Sequence, residues 1–418
     1  MERAQSKLLI LSSLGGILEF YDFIIFALFA GYISNAFFPA TDDFISLLIT
    51  FATFAIGYLV RPLGGIVFGH FGDRIGRKVT FTISILMMAL ATLGIGLMPT
   101  YEMIGISAPI LVISLRVIQG FSIGGEIPGA ITYVSESIAE HKGLACGIIF
   151  CALTFGIVLG SIVHATIVSL VPPAEMYAYG WRIPFLAGGI LGLVSYLLRR
   201  NLHESSQFIA IESAVEKFPI ITVFKQQLLF VFAGAAMIAL CAVIVTALFL
   251  FMPAYFTKIL HLPDNAYIWE RTAAIACGSA LSVLFGYMTD LINVKRLVLV
   301  LILMTAGLAY PIFAIYGYHP ELYILAFIAS AFLLGFSAGI VPRLLSELFP
   351  TRIRYSGIAI SYNLGFAFFG GLTPFISLSL IYYSGKITMP ALYLIMVSLL
   401  AIIFLFFVGH KVKIRMNH

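Results

Sequence analysis

Long apolar runs recur along the whole 418-residue length of this chain, and they constrain it more than any other feature. Each run of about 20 residues or more can cross ~30 Å of hydrocarbon as a helix. A backbone amide left unpaired in lipid costs several kcal/mol, so only helices and closed barrels span a bilayer. A barrel would show alternating strands of about ten residues separated by turns, and no such alternation is present. The chain therefore reads as an all-α membrane protein. Its composition agrees, being 61% hydrophobic and only 10% charged, where a soluble domain carries ~25% charged residues.

Twelve transmembrane helices are expected. The first six lie at about 8–36, 44–71, 79–98, 106–138, 143–171 and 181–199. The last six lie at about 223–257, 267–290, 296–317, 321–349, 354–382 and 388–409. The longest polar stretch, around 200–219, divides them into bundles at 1–200 and 222–418, joined by a linker at 201–221. Lysine and arginine concentrate on one face, which places both termini in the cytoplasm by the positive-inside bias. Trp181 and Trp269 fall at span ends on the opposite face, where indoles anchor in the interface. Arg61, Arg116 and Arg343 lie within spans; Arg271 reads as a residue of the opposite face.

Several function classes drop out. The net charge of +5 is spread over short loops, so no nucleic-acid partner is expected. The apolar run after Lys7 lacks a small-residue cleavage site, so no cleavable leader is expected. Cys146, Cys151, Cys241 and Cys277 have neither metal nor redox spacing and read as small buried hydrophobes. There is no Gly-x4-Gly-Lys-Ser/Thr phosphate loop, no His-Glu-x-x-His and no nucleophile elbow, which argues against an ATP-driven motor and against an enzyme. No cofactor or metal is expected. His70 and His164 are each read as packing residues in apolar surroundings.

An internal repeat sets the architecture. Gly120-Phe-Ser-Ile-Gly124 matches Gly335-Phe-Ser-Ala-Gly339 about half a chain later, each followed by a proline (Pro128, Pro342) and a Ser-Glu pair (Ser135-Glu136, Ser346-Glu347). Small residues at this spacing let another helix approach closely. Gly69-His-Phe-Gly-Asp73 pairs less well with Gly286-Tyr-Met-Thr-Asp290. Two repeated halves around a midplane site are a known transporter plan.

Charge inside these spans is costly and functional by default. Glu19 and Asp22, three residues apart in span 1, lie on one helical face. Two carboxylates in a low dielectric repel, which favours holding a proton on one of them; proton coupling by either is expected, with neutralisation by Arg116 or by interhelical hydrogen bonds as the bland reading. Arg116 and Glu126 are ten residues apart in span 4, or ~15 Å along the axis, too far to pair directly; span 1 supplies candidate carboxylates for Arg116. Glu126 lies near the expected midplane beside Gly124, Gly125 and Pro128, where the helix is weakened. Arg343, after Pro342 in span 10, reads either as a bidentate clamp for a substrate carboxylate or as a side chain snorkelling to the interface. Tyr21, Tyr133, Tyr255 and Tyr362, with Phe20 and Phe366, are candidate aromatic lining, and no mid-membrane tryptophan offers a cage for a quaternary ammonium group.

Gly69-His-Phe-Gly-Asp-Arg-Ile-Gly-Arg-Lys78, between spans 2 and 3, resembles the signature loop of the major facilitator superfamily. Within it the chain is similar to the bacterial metabolite:proton symporters, which include proline/betaine, α-ketoglutarate, shikimate and citrate carriers. The matching stretches are Glu19-Phe-Tyr-Asp-Phe23, Arg61-Pro-Leu-Gly-Gly65, Arg116 to Glu126, Gly180-Trp-Arg-Ile-Pro-Phe185, and Glu347-Leu-Phe-Pro-Thr-Arg-Ile-Arg-Tyr-Ser-Gly357. The chain departs from the pattern at Asp290-Leu-Ile-Asn-Val-Lys-Arg296, which lacks the Gly-Arg, and at Arg343. The resemblance implies two pseudo-symmetric six-helix bundles rocking about a midplane site. It also implies a gating latch in which Asp73, Arg74 and Arg77 engage neighbouring helix ends, with Arg352 or Arg354 facing Glu136, and Glu347 mirroring Glu136. An arginine at the position of Arg116 commonly takes part in proton coupling in that superfamily.

The expected protein is a proton-coupled symporter of a bacterial inner membrane, importing a small carboxylate-bearing metabolite as a monomer in the lipid bilayer. A zwitterion carrier, a proton-antiport exporter and a non-transporting sensor are the alternatives. Gly156-Ile-Val-Leu-Gly160-Ser161 in span 5 lacks the proline of exporter motifs, which counts against the exporter.

Overall fold

A computed structural model describes residues 3–39, 43–75, 77–138, 141–200, 219–263, 266–350 and 353–416. The expected linker therefore lies almost wholly outside the described residues. Among them, nine helices are long and apolar enough to cross a membrane, two bent helix pairs each make one further span, and Thr82–Leu97 is a shorter apolar helix. These account for the twelve expected segments in order.

Span 1 is Arg3–Leu28 followed, after a 65° bend, by Ala30–Phe37. Span 2 is Asp43–Leu59 with Arg61–Ile75, span 3 is Arg77–Leu97, span 4 is Ser107–Ile123 with Glu126–Ser137, span 5 is Lys142–Leu170 and span 6 is Arg182–Arg199. Span 7 runs from Leu228–Val245 through π-helical turns to Ile259. Span 8 is Ile268–Leu291, span 9 Val294–Tyr318 and span 10 Tyr323–Leu348. Span 11 is Arg354–Gly365, a π turn at Phe366–Gly370, and Thr373–Ser384; span 12 is Pro390–Met416. The face carrying the free ends of spans 1 and 12 is the terminal face, and the other is the distal face.

The two halves pack alike. Span 1 lies along span 5, span 2 along span 4 and span 3 along span 6; in the second half span 7 lies along span 11, span 8 along span 10 and span 9 along span 12. Span 5 against span 8, and span 2 against span 11, join the bundles. The glycine repeat explains the 2–4 and 8–10 pairings. A Cβ on Gly120 would run into the Gly57 carbonyl, and one on Gly64 into the Phe121 carbonyl. In the second half a Cβ on Gly335 would meet the Gly278 carbonyl oxygen at 2.6 Å, and one on Gly339 the Ser282 carbonyl oxygen at 2.6 Å. Without a hydrophobic force between helices in lipid, such close backbone packing supplies the attraction.

One interface residue departs from expectation. Trp269 is 58% exposed, as an anchoring indole should be, but Trp181 is fully buried. Its ring sits edge-on to Phe37 at 5.2 Å, while the neighbouring Arg182 reaches back to the Gly96 carbonyl (3.1 Å) at the end of span 3. The Gly-Trp-Arg-Ile-Pro-Phe stretch thus plugs the distal end of the first bundle. A cation at a helix C-terminus satisfies carbonyls that have no partner within the helix.

Candidate functional site

The bundles meet at a break in span 4. Helix ends at Ile123 and resumes at Glu126, which frees carbonyls in the Gly124–Gly125 step. Span 11 takes both up: Asn363 Nδ2 donates to Gly124 O (2.6 Å) and the Tyr355 hydroxyl donates to Gly125 O (2.8 Å). Gly65 of span 2 makes room for Asn363, since a Cβ there would stand 2.6 Å from Asn363 Nδ2.

Beside this junction lies Arg61, a residue that sequence reasoning left without a role. Its side chain is 2% exposed. The guanidinium carbon stands 5.4 Å from the ring centre of Tyr58, 5.7 Å from Tyr362 and 5.2 Å from Phe366. Tyr362 and Phe366 come from span 11, where the π turn begins at Phe366; π turns are frequent at functional sites. Nε and Nη2 of Arg61 have no hydrogen-bond partner among the described residues. Those two N–H groups form the side-on fork that grips one carboxylate. The buried Glu19 acts electrostatically on both Tyr58 and Tyr362, so it belongs to this centre. An intramembrane arginine is the signal that marked Arg116, and it was equally available for Arg61.

Asp22 faces elsewhere. It is fully buried against span 6, where a Cβ on Gly188 would collide with its Oδ1 and with the Tyr21 ring. Thr92 of span 3 acts on its carboxylate, but that hydroxyl donates to Met88 O at 3.0 Å, and neither Asp22 oxygen has a hydrogen-bond partner among the described residues. Thr92 in turn accepts from Gln119 Nε2 (2.7 Å), whose Oε1 accepts from Arg116 Nη1 (2.8 Å). The Arg116 guanidinium lies 4.4 Å from the Phe26 ring centre and 5.3 Å from that of Phe54. A polar chain Arg116–Gln119–Thr92 therefore ends beside Asp22. Glu19 and Asp22, which share a helical face by spacing, sit in different surroundings.

Three residues expected at the substrate lie apart from Arg61. The Tyr21 hydroxyl donates to Pro184 O (3.0 Å) in span 6. The Tyr255 hydroxyl donates to Ile387 O (3.1 Å), and its ring packs on Phe313 at 5.6 Å. Arg343 Nη2 pairs with Glu347 Oε1 at 2.8 Å, one helical turn toward the terminal face. Arg343 and Glu347, expected in different roles, form one pair because i, i+4 side chains on a helix are neighbours. Tyr362 alone of the described substrate candidates joins Arg61. The side chains of Asp73, Arg74, Arg77, Glu126, Tyr133 and Glu136, and the whole of Arg352, lie outside the described residues.

At the terminal face the second-half copy of the signature loop makes a contact between the bundles. The backbone N–H groups of Gly143 and Leu144, opening span 5, donate to Asp290 Oδ1 (2.8 Å) and Oδ2 (3.0 Å) at the end of span 8. A carboxylate at a helix N-terminus satisfies orphan donors and the helix dipole together. Here it ties one bundle to the other. Arg354 Nε donates to Phe349 O (3.3 Å), within the span 10–11 turn. Asp290→Asn removes charge-assisted bonds worth roughly 1.5 kcal/mol or more, so the terminal face should open about tenfold more often. The buried Cys146, which feels both Asp290 and Arg343, is a native reporter: as the sole cysteine it should react with N-ethylmaleimide about tenfold faster in Asp290→Asn. An unchanged rate would remove Asp290 from gating.

Two helical bundles joined at a broken helix, with buried charge at the junction, are the architecture of a polytopic membrane transporter. The chain belongs to the major facilitator superfamily: residues 12–277 match that family. It is 35% identical over 412 residues to the "Putative proline/betaine transporter" of Staphylococcus haemolyticus (strain JCSC1435), covering 95% of this chain and 86% of that protein. It is 30% identical over 380 residues to the "Citrate-proton symporter" of Klebsiella pneumoniae, covering 90% and 85%. Among solved structures, a double-tryptophan mutant of XylE superimposes with a TM-score of 0.78 at 16% identity, over 97% of this chain and 95% of that one. The protein is a multi-pass membrane transporter and not an enzyme.

Proposed function

We propose that this transporter is a proton-coupled symporter that imports a small carboxylate-bearing metabolite across a bacterial inner membrane, with both termini cytoplasmic. The observation that carries the reading is Arg61, a buried guanidinium whose side-on donor pair has no hydrogen-bond partner among the described residues, held at the contact of spans 2 and 11 where the bundles meet. A substrate carboxylate closes that fork, and Tyr58, Tyr362 and Phe366 enclose the rest of a small solute. Rocking of the bundles changes the distance between Arg61 and the span 11 rings, so binding and closure are coupled. Arg116, Gln119, Thr92 and Asp22 form the proton branch, in the first bundle and away from the substrate. Arg343 belongs with Glu347 and Asp290 to the gate.

A second reading, a zwitterion such as proline or betaine, is favoured by Glu19, which sets a carboxylate in the same centre as Arg61. Arg61 then takes the carboxylate and Glu19 the cationic end. The Staphylococcus haemolyticus relative, named a proline/betaine transporter, supports this reading; the Klebsiella pneumoniae citrate-proton symporter supports the anion.

The test is uptake by proteoliposomes under an imposed inward proton gradient, with labelled α-ketoglutarate, citrate, shikimate, proline and glycine betaine. Accumulation of one of them, abolished by a protonophore, is expected. Loss of internal substrate against entering protons would replace symport by export.

A further inference from the structure

We infer a second carboxylate site on the distal side of the bundle interface, built on Arg271, through which substrate passes before reaching Arg61. This rests on the reading that the transporter carries carboxylates. Arg271 lies in the first turn of span 8 and is only 1% exposed. Its Nε and Nη2, again the side-on fork, have no hydrogen-bond partner among the described residues. Glu270, next in sequence, is exposed and so does not face it. An arginine withdrawn from water with two donors unsatisfied by its described neighbours suits an anion.

Its surroundings fit a small carboxylate. Across the interface is His164 of span 5, buried, with Nδ1 lacking a hydrogen-bond partner among the described residues and its ring edge-on to Phe29 at 4.8 Å. His164 and Arg271 lie within electrostatic reach of one another, and Tyr316 of span 9 is within reach of Arg271. Around Tyr316 stand the rings of Phe256 and Phe327, each at 5.3 Å. Two polar groups from opposite bundles thus converge beside an apolar wall. This is the composition of a binding pocket, with a few placed polar groups in an aromatic lining. Spans 5 and 8 lie along each other between the bundles. Opening of the distal face moves these two helices apart and exposes the pair to the medium, whereas opening of the terminal face leaves it closed.

A site used on one side gives a one-sided phenotype. In intact cells, initial uptake of the labelled carboxylate that wild type accumulates (citrate and proline are the first two probes) reads the distal face. Efflux from loaded cells reads the terminal face. Arg271→Gln is expected to raise the uptake KM about tenfold and to leave the efflux KM within about twofold, with Arg271→Lys intermediate. His164→Gln is expected to raise the uptake KM about threefold. Equal changes on both sides, or none, overturn the site. Should Arg271→Gln fail to reach the membrane, Arg271→Lys decides by the same ratio, since it keeps the charge and loses the fork. If wild type accumulates neither these nor any other carboxylate, the parent reading fails; if it accumulates one and the two KM values of the variants move together, only this inference fails.

Discussion

Arg61→Gln should raise the KM for the transported carboxylate by about 100-fold, with Arg61→Lys recovering part of the loss. A buried bidentate pair between guanidinium and carboxylate is a strong charge-assisted interaction, and a 100-fold change corresponds to about 2.8 kcal/mol, within the range for removing one partner of a buried pair. Lysine restores the charge but presents a point donor, so it cannot grip both oxygens in the plane. A competing account makes Arg61 a structural pin, its guanidinium stacked among Tyr58, Tyr362 and Phe366 to hold spans 2 and 11 together. Cation–π contacts of this kind are worth ~0.5–2 kcal/mol each. The two accounts part on which observable moves. A pin predicts a lower Tm and altered rates at unchanged KM; a binding residue predicts a raised KM, and a Tm that no longer rises when substrate is added to the variant. Direct binding to the purified protein, measured beside its melting curve, separates them. Wild-type affinity in Arg61→Gln would move the carboxylate elsewhere in the molecule.

The fold was legible because lipid leaves few choices. Apolar run length specified twelve helices, and Gly120, Gly124, Gly335 and Gly339 marked the crossings where backbones touch. The candidate site was legible only in part, and the failures share a cause. Sequence position gives depth in the membrane but not the direction of a side chain. Arg343 and Arg61 are both intramembrane arginines; one is answered by Glu347 a turn away and the fork of the other meets no hydrogen-bond partner among the described residues. Tyr21 and Tyr255 sit at plausible depths, yet their hydroxyls are spent on Pro184 and Ile387 carbonyls. At the terminal face a degraded motif keeps its contact. The 290–296 loop lacks the glycine and arginine of the signature, but Asp290 still has its helix N-terminus to cap, because that interaction needs the carboxylate and not the rest of the motif.

Asp22→Asn should abolish accumulation while leaving exchange. A proton entering down a pH difference of about 1.7 units is worth about 2.3 kcal/mol whatever the charge of the solute, enough for roughly 50-fold accumulation of a solute carried with it. That drive is delivered only if a group binds the proton on one side and loses it on the other. Asp22 is placed for this: it is fully buried, its two oxygens lack hydrogen-bond partners among the described residues, and the chain through Thr92 and Gln119 leads to Arg116. Movement of span 1 against spans 3 and 4 would change how closely the Arg116–Gln119–Thr92 chain approaches that carboxyl. Asparagine has the shape of the protonated acid, fits beside Gly188 as Asp22 does, and cannot release a proton. The variant is therefore locked in the loaded form. Its accumulation ratio under an imposed gradient should fall from about 50-fold to about one, while counterflow of labelled against unlabelled substrate stays within a few-fold of wild type. Glu19→Gln, beside the substrate and not in this chain, should impair binding and counterflow together. If Asp22→Asn still concentrates its substrate and Glu19→Gln does not, the proton rides on Glu19, and substrate and proton share one centre.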